Sequence, residues 1–167
     1  MPSARRDAET LDLNGWWHAW YDEAAARPAQ DAGTPETCPI LPCHAPSAGW
    51  DGMEDGMESQ RVPGTWAESR PGYRGVVWYW RPVAVPEDWS GKRMYVRFEG
   101  VRQQAQVFIN QTWVGQSLRS ETPFEIDLDA RVAAGEIFVL AVRVTCTTAQ
   151  GEDKAGGITG NVTLHAA

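Results

Sequence analysis

Hydrophobic and polar positions alternate along much of this chain with the two-residue period of extended strands. From Arg93 to Glu99, Met94, Val96 and Phe98 fall on one side, and Arg93, Tyr95, Arg97 and Glu99 on the other. That pattern predicts an antiparallel strand with one buried and one solvated face. A second alternation runs from Ala105 to Asn110, setting Ala105, Val107 and Ile109 against Gln106 and Phe108. Asn110-Gln111 then predicts a tight hairpin into Thr112-Trp113-Val114-Gly115, with Asn110 in the positive-φ conformation that asparagine tolerates well. From Glu136 to Thr145, Phe138, Leu140, Val142 and Val144 alternate with Val139, Ala141, Arg143 and Thr145, which predicts a long central strand. Leu11 to Trp20 reads as the opening strand and Asn161 to His165 as the closing one. Many strands joined by Pro, Gly and Asn turns define an all-β antiparallel sandwich with little helix.

Between these strands the patterning lapses. Residues 1–10 are polar and aperiodic, a disordered lead-in, and residues 11–167 are expected to form a single domain. Asp22 to Ala29 has a short helical flavour, but Pro28, Pro35, Pro39, Pro42 and Pro46 exclude a long helix. The stretch from about residue 22 to 60 is therefore a loop insertion, and a loop of that length is either functional or mobile. Within it Asp51, Glu54, Asp55 and Glu58 form an acidic cluster among glycines. Calcium would want such oxygens, yet the spacing matches no calcium loop and a solvated acidic turn is the preferred reading. Cys38 and Cys43, with His44 beside them, admit a free-thiol loop, a local disulfide or, less readily, part of a zinc site that lacks a fourth ligand.

Composition narrows the function classes. The chain has 167 residues, the length of one domain, and 43% of them are hydrophobic. A net charge of −7 without a basic run argues against nucleic acid and against an anionic membrane surface. No apolar run approaches a spanning helix, and no apolar segment follows Arg5 and Arg6 as a secretory signal would require. A soluble protein is expected, cytoplasmic if the chain is complete, with export open if it is an excised domain. Nine tryptophans exceed what a core of this size needs. Flat aromatic rings stack on the apolar faces of sugars, although burial rates alone would assign about two thirds of the tryptophans to a sandwich core.

A set of ordered phrases carries a family resemblance. They are Val62-Pro63-Gly64-Thr65-Trp66, Gly75 to Arg81 (GVVWYWR), Val85 to Arg93 (VPEDWSGKR), Phe98-Glu99-Gly100-Val101, Ala105 to Asn110 (AQVFIN), Val114-Gly115, Thr122 to Asp127 (TPFEID) and Gly156 to Val162 (GGITGNV). Together they resemble the N-terminal sugar-binding domain of family 2 glycoside hydrolases, the group of β-galactosidases, β-glucuronidases and β-mannosidases. The resemblance implies a jelly-roll β-sandwich, galactose-binding-domain-like, which in the family precedes an immunoglobulin-like domain and a catalytic barrel. Departures from the family pattern occur at Gln111 of the Asn-Gly turn, at Trp80 in place of a second arginine, at Arg119-Ser120 in place of a glycine pair, and at Thr159 in place of an aromatic residue.

Catalysis by this chain alone is not expected. Glycoside hydrolysis needs two carboxyl groups flanking the scissile bond, and the family carries them in the barrel. Strand and turn positions account for Glu99, Glu121, Glu125, Asp127 and Asp129 without chemistry. Gly-x-Ser-x-Gly and phosphate-loop signatures are also missing, and no cofactor or metal is required. The expected function is a non-catalytic carbohydrate-binding module taking an oligo- or polysaccharide; the alternative is a structural accessory domain bracing a catalytic barrel or partner subunit, with self-association as a further possibility for its partner. The resemblance directs the sugar contact to one end of the sandwich, where loops 64–75 and 150–157 should meet. There Trp66 or Tyr73 would stack on the sugar, Asp153 would accept hydrogen bonds from hydroxyls, and Arg74 or Lys154 would orient that carboxylate. Trp66 could instead plug the sandwich end. Trp80, on the same strand face as Trp78, is the fallback.

Overall fold

A computed structural model describes residues 9–25, 45–128, 131–146 and 155–167. Among these residues, ten strands form two antiparallel sheets. Strands β1 (Glu9–Asp12), β10 (Val162–Ala166), β5 (Met94–Phe98) and β8 (Phe124–Asp127) make a four-stranded sheet in the order β1-β10-β5-β8. The six-stranded sheet runs β3-β2-β4-β9-β6-β7, from β3 (Glu58–Val62), β2 (Gly15–Asp22), β4 (Gly75–Ala84), β9 (Ile137–Cys146), β6 (Gln104–Ile109) and β7 (Thr112–Ser117). From β4 onward the chain passes repeatedly between the two layers, giving the expected jelly-roll sandwich.

Strand alternation fills the space between the layers. Met94, Val96 and Phe98 of β5 face Val107 of β6 and Leu140, Val142 and Val144 of β9 in one buried cluster. Strand β9 is central, paired along ten residues with β4, from Gly75 opposite Cys146 to Ala84 opposite Ile137, and on its other edge with β6. The hairpin is made as its sequence predicts, with Asn110 at φ 46° and Gln111 at 69°. The Asn110 side chain adds a bond of its own, accepting the Val139 N–H at 2.9 Å.

The opening segment differs from expectation. Leu11 to Trp20 does not form one strand but feeds both sheets: β1 pairs with β10, and β2 pairs with β3 and β4. Gly15, at φ 129°, occupies a backbone region open mainly to glycine, and there the chain crosses from one layer to the other. Leu13 lies at the crossing, fully buried, and its carbonyl accepts the Trp17 indole at 2.8 Å and the Arg81 guanidinium at 3.0 Å. Glu9, placed in the lead-in by its polarity, is the first residue of β1 and pairs with Lys92 at 3.3 Å. Cys38, Cys43 and His44 lie outside the described residues; Cys146 is buried in the core.

Candidate functional site

The tryptophans are distributed otherwise than burial rates suggest. Trp17, Trp66 and Trp89 belong to the core between the sheets. Trp78 belongs to a second, smaller cluster with Met53, Val76, Phe108 and Ala141, against which Trp20, Trp50 and Trp80 pack. Trp16 and Trp113 are exposed. The second cluster lies on the outer face of the six-stranded sheet. The two-residue period requires this: Trp17, Ala19 and Tyr21 of β2 and Val77 and Tyr79 of β4 are in the core, so Trp16, His18, Trp20 and Asp22, with Val76, Trp78 and Trp80, point away from it.

A loop folds over that face. Trp50 sets its ring edge-on against Trp78 at 5.3 Å and Phe108 at 5.4 Å. Residues Asp51–Glu54 form a single 3-10 turn that buries Met53. Asp22, 1% exposed, anchors the arrangement. One carboxylate oxygen accepts the Trp78 indole N–H at 3.1 Å and the Ser47 N–H at 2.9 Å, and the other accepts the Ala25 N–H at 3.1 Å. A buried carboxylate is stable only when donors surround it, and here they come from a strand, the start of the insertion and its returning limb.

An open cleft of about 340 Å³ remains between loop and sheet. The loop contributes Trp50, Asp51, Met53 and Glu54; β4 and β9 contribute Trp80, Val139 and Ala141; the β6–β7 turn contributes Asn110 and Gln111. Trp80 is half-buried, its ring 5.5 Å from that of His18. Aromatic walls with a few polar groups at the rim are what a small-ligand site requires. Among the described residues no group of three His, Cys, Asp or Glu could hold a metal ion.

The sandwich end is built differently. Loops 64–75 and 150–157 do meet over their described parts: the Trp66 N–H donates to the Gly156 carbonyl at 3.1 Å and the Gly64 N–H to that of Ile158 at 2.9 Å. Trp66, however, is 0% exposed; its indole N–H donates to the Tyr73 carbonyl at 3.1 Å, and its ring packs edge-on against Tyr73 and Tyr21. It plugs the end of the sandwich and has no free face for a sugar. Tyr73 is partly buried, donates its hydroxyl to the Val76 carbonyl at 2.9 Å, and has a phenol pKa pushed up to about 12 by burial first and by the Glu23 carboxylate second. The Arg74 guanidinium donates to the Tyr73 carbonyl at 2.9 Å. Asp153 and Lys154 lie outside the described residues. Trp80 thus stands in the cleft, whereas Trp66, Tyr73 and Arg74 gather at the sandwich end.

Carboxylates elsewhere are held by arginines: Glu99 and Glu125 by Arg97 at 2.7 and 3.1 Å, Glu121 by Arg102 at 2.6 Å, and Asp127 by Arg93 at 3.5 Å. Sequence reasoning missed Trp50 as a cleft wall and Asp22 as the anchor. A lone aspartate ending the apolar run Trp16 to Tyr21 was the available signal for the second.

Two antiparallel layers and their strand order define a jelly-roll β-sandwich. The chain belongs to glycosyl hydrolases family 2: the family's sugar binding domain matches residues 11–154. Over 72 residues it is 40% identical to a β-glucuronidase of Formosa agariphila, covering 43% of this chain and 7% of the relative. Over 73 residues it is 38% identical to a β-galactosidase of Thermoanaerobacter pseudethanolicus, covering 43% of this chain and 10% of the relative. The β-glucuronidase of Ruminococcus gnavus has the same fold at a TM-score of 0.69 and 16% identity, over 95% of this chain and 29% of that one. A β-glucuronidase of Faecalibacterium prausnitzii gives 0.65 and 22%, over 96% and 31%. The chain therefore spans less than a third of these solved proteins, and its matched segments cover a tenth or less of the two curated relatives. Among the described residues no helix is long and apolar enough to cross a membrane.

Proposed function

We propose that this chain is a non-catalytic carbohydrate-recognition domain that contributes sugar contacts to a β-glycosidase of family 2 type. The observation that carries this reading is the outer-face cleft, where Trp50 and Trp80 stand beside Asp51, Glu54, Asn110 and Gln111. An aromatic ring stacks on the apolar face of a pyranose, and carboxylates and amides hydrogen-bond its hydroxyls. Catalysis would belong to another part of such an enzyme. Glu99, Glu121, Glu125 and Asp127 are committed to arginines, and the purified chain should turn over no nitrophenyl glycoside.

Calorimetric titration with β-linked oligosaccharides tests the reading, comparing the parent with Trp80→Ala, Tyr73→Ala and Asp153→Ala. Binding abolished by Trp80→Ala supports the cleft. Binding lost only with Tyr73→Ala and Asp153→Ala moves the contact to the sandwich end. The second reading, a structural brace for a catalytic barrel or partner subunit, draws on the exposed apolar side chains Trp16, Trp113, Leu118 and Ile137, which a docked domain would cover. It gains if no glycan binds.

A further inference from the structure

From the cleft's charge we infer that its ligand is a cationic amino sugar, a β-linked glucosamine oligomer with a free amine, in preference to neutral or uronic-acid sugars; this rests on the carbohydrate-recognition reading above. Two carboxylates, Asp51 and Glu54, line the cleft, and the described lining residues include no Lys, Arg or His. A uronate would bring a like charge toward both carboxylates without a cation to receive it, which disfavours it. An ammonium group meets the opposite situation. The carboxylates attract it, and Trp50 and Trp80 present the ring type that binds cations best through its electron-rich face. The chain's net charge of −7 adds a long-range attraction of the same sign.

The acidic groups of a second surface cavity do not share this property. Glu125 and Asp127 line a second surface cavity, but Arg93 lines it too, and Arg97 and Arg93 already pair with them. Asp51 and Glu54 differ in standing next to the half-buried rings of Trp50 and Trp80 within an open cleft. Its volume of about 340 Å³ is at the small end of ligand sites, roughly 300–1,000 Å³, which suits a short sugar unit.

The test is calorimetric titration of the whole chain, in mildly acidic low-salt buffer, with a β-1,4-linked glucosamine oligomer, its N-acetylated counterpart and a β-linked uronic-acid oligomer. The glucosamine oligomer should bind about tenfold more tightly than the N-acetylated one, with the uronic-acid oligomer weakest. Added salt should narrow the difference by screening it. The double variant Asp51→Asn, Glu54→Gln, which keeps the side-chain shapes, should remove the preference. Equal binding of all three, or tighter binding of the uronate, overturns the amino-sugar inference and leaves carbohydrate recognition in place. A preference that survives the double variant overturns the assignment to this cleft. If the parent binds none of the three and no neutral oligosaccharide, both the inference and the reading it rests on fall.

Discussion

Replacing Asp22 with alanine tests whether the outer-face cleft is built by one buried carboxylate. Asp22 accepts three hydrogen bonds, from the Trp78 indole and from the Ser47 and Ala25 N–H groups, at 2.9–3.1 Å. Hydrogen bonds to a charged group are each worth about 1.5–3 kcal/mol, so their simple sum is an upper bound. Alanine also relieves the carboxylate of its burial, and water can reach the loop amides once the tether is cut. The donor that cannot be rescued is the Trp78 indole, which is fully buried. A loss of about 3–4 kcal/mol follows. With a urea slope of about 2 kcal/mol/M, the unfolding midpoint should fall by roughly 1.5–2 M. Asp22→Asn keeps the shape and one acceptor oxygen and should lose about half as much. The loop should also come away from the sheet, so that the near-ultraviolet dichroism from Trp50 packed on Trp78 and Phe108 diminishes in the folded protein. A midpoint shift corresponding to less than about 1 kcal/mol, with unchanged aromatic dichroism, would refute the anchoring role.

Three further outcomes are expected. Phe98→Ala should cost about 3–5 kcal/mol in urea unfolding, because Phe98 is fully buried and stacks on Phe124 at 4.9 Å; a cost near 1 kcal/mol would mean that the sandwich closes around the void. Gly157→Ala should lower the thermal midpoint sharply, since its backbone sits at φ 152° and an added Cβ would run into the Gly64 carbonyl and the Thr65 Cα, whereas Gly72→Ala, with open space around it, should be limited to the strain of its positive φ. Stability should fall as pH rises from 10 toward 12. Burial pushes the phenols of Tyr21, Tyr73 and Tyr79 above their ordinary value of 10.0, Tyr73 to about 12. The unfolded chain then releases phenolic protons that the folded chain retains, so the phenols' contribution to stability is fully present below pH 10 and is lost as pH rises above it. Phenolate absorbance that develops in step with unfolding bears this out, and three phenols titrating near pH 10 in folded protein contradict it.

How much of this was legible depended on whether one face of a strand was polar. Met94 to Phe98 and Gln104 to Ile109 show their buried faces directly, because Tyr95, Arg97, Gln104 and Gln106 mark the other side. Strands β2 and β4 offer no such contrast. Trp16 to Tyr21 and Val76 to Trp80 are apolar on both faces, and period-two reasoning cannot say which set enters the core. The tryptophan surplus was visible, but its division between an inner core and an outer aromatic face followed only from the pairing of β2 with β4 and of β4 with β9. Trp66 reads from sequence as either a stacking ring or a plug for a related reason. A loop tryptophan after Val-Pro-Gly-Thr has the same sequence whether it faces solvent or plugs the sandwich end, and the close approach of Gly156 decides between them. Trp50 could not be seen at all. Its insertion has no periodicity, and its place depends on Asp22, 28 positions earlier, capturing Ser47.

The central claim is that the cleft between loop 50–54 and the outer sheet face holds sugar. The indole N–H signals of the nine tryptophans report on it directly in a nitrogen-labelled sample titrated with a β-linked oligosaccharide, once substitution has assigned each signal. Trp50 and Trp80 should shift progressively and saturate together, while Trp17, Trp66 and Trp89, enclosed between the sheets, stay in place. Saturable shifts confined to residues of the sandwich end, or no shift at any indole at saturating sugar, would contradict the account.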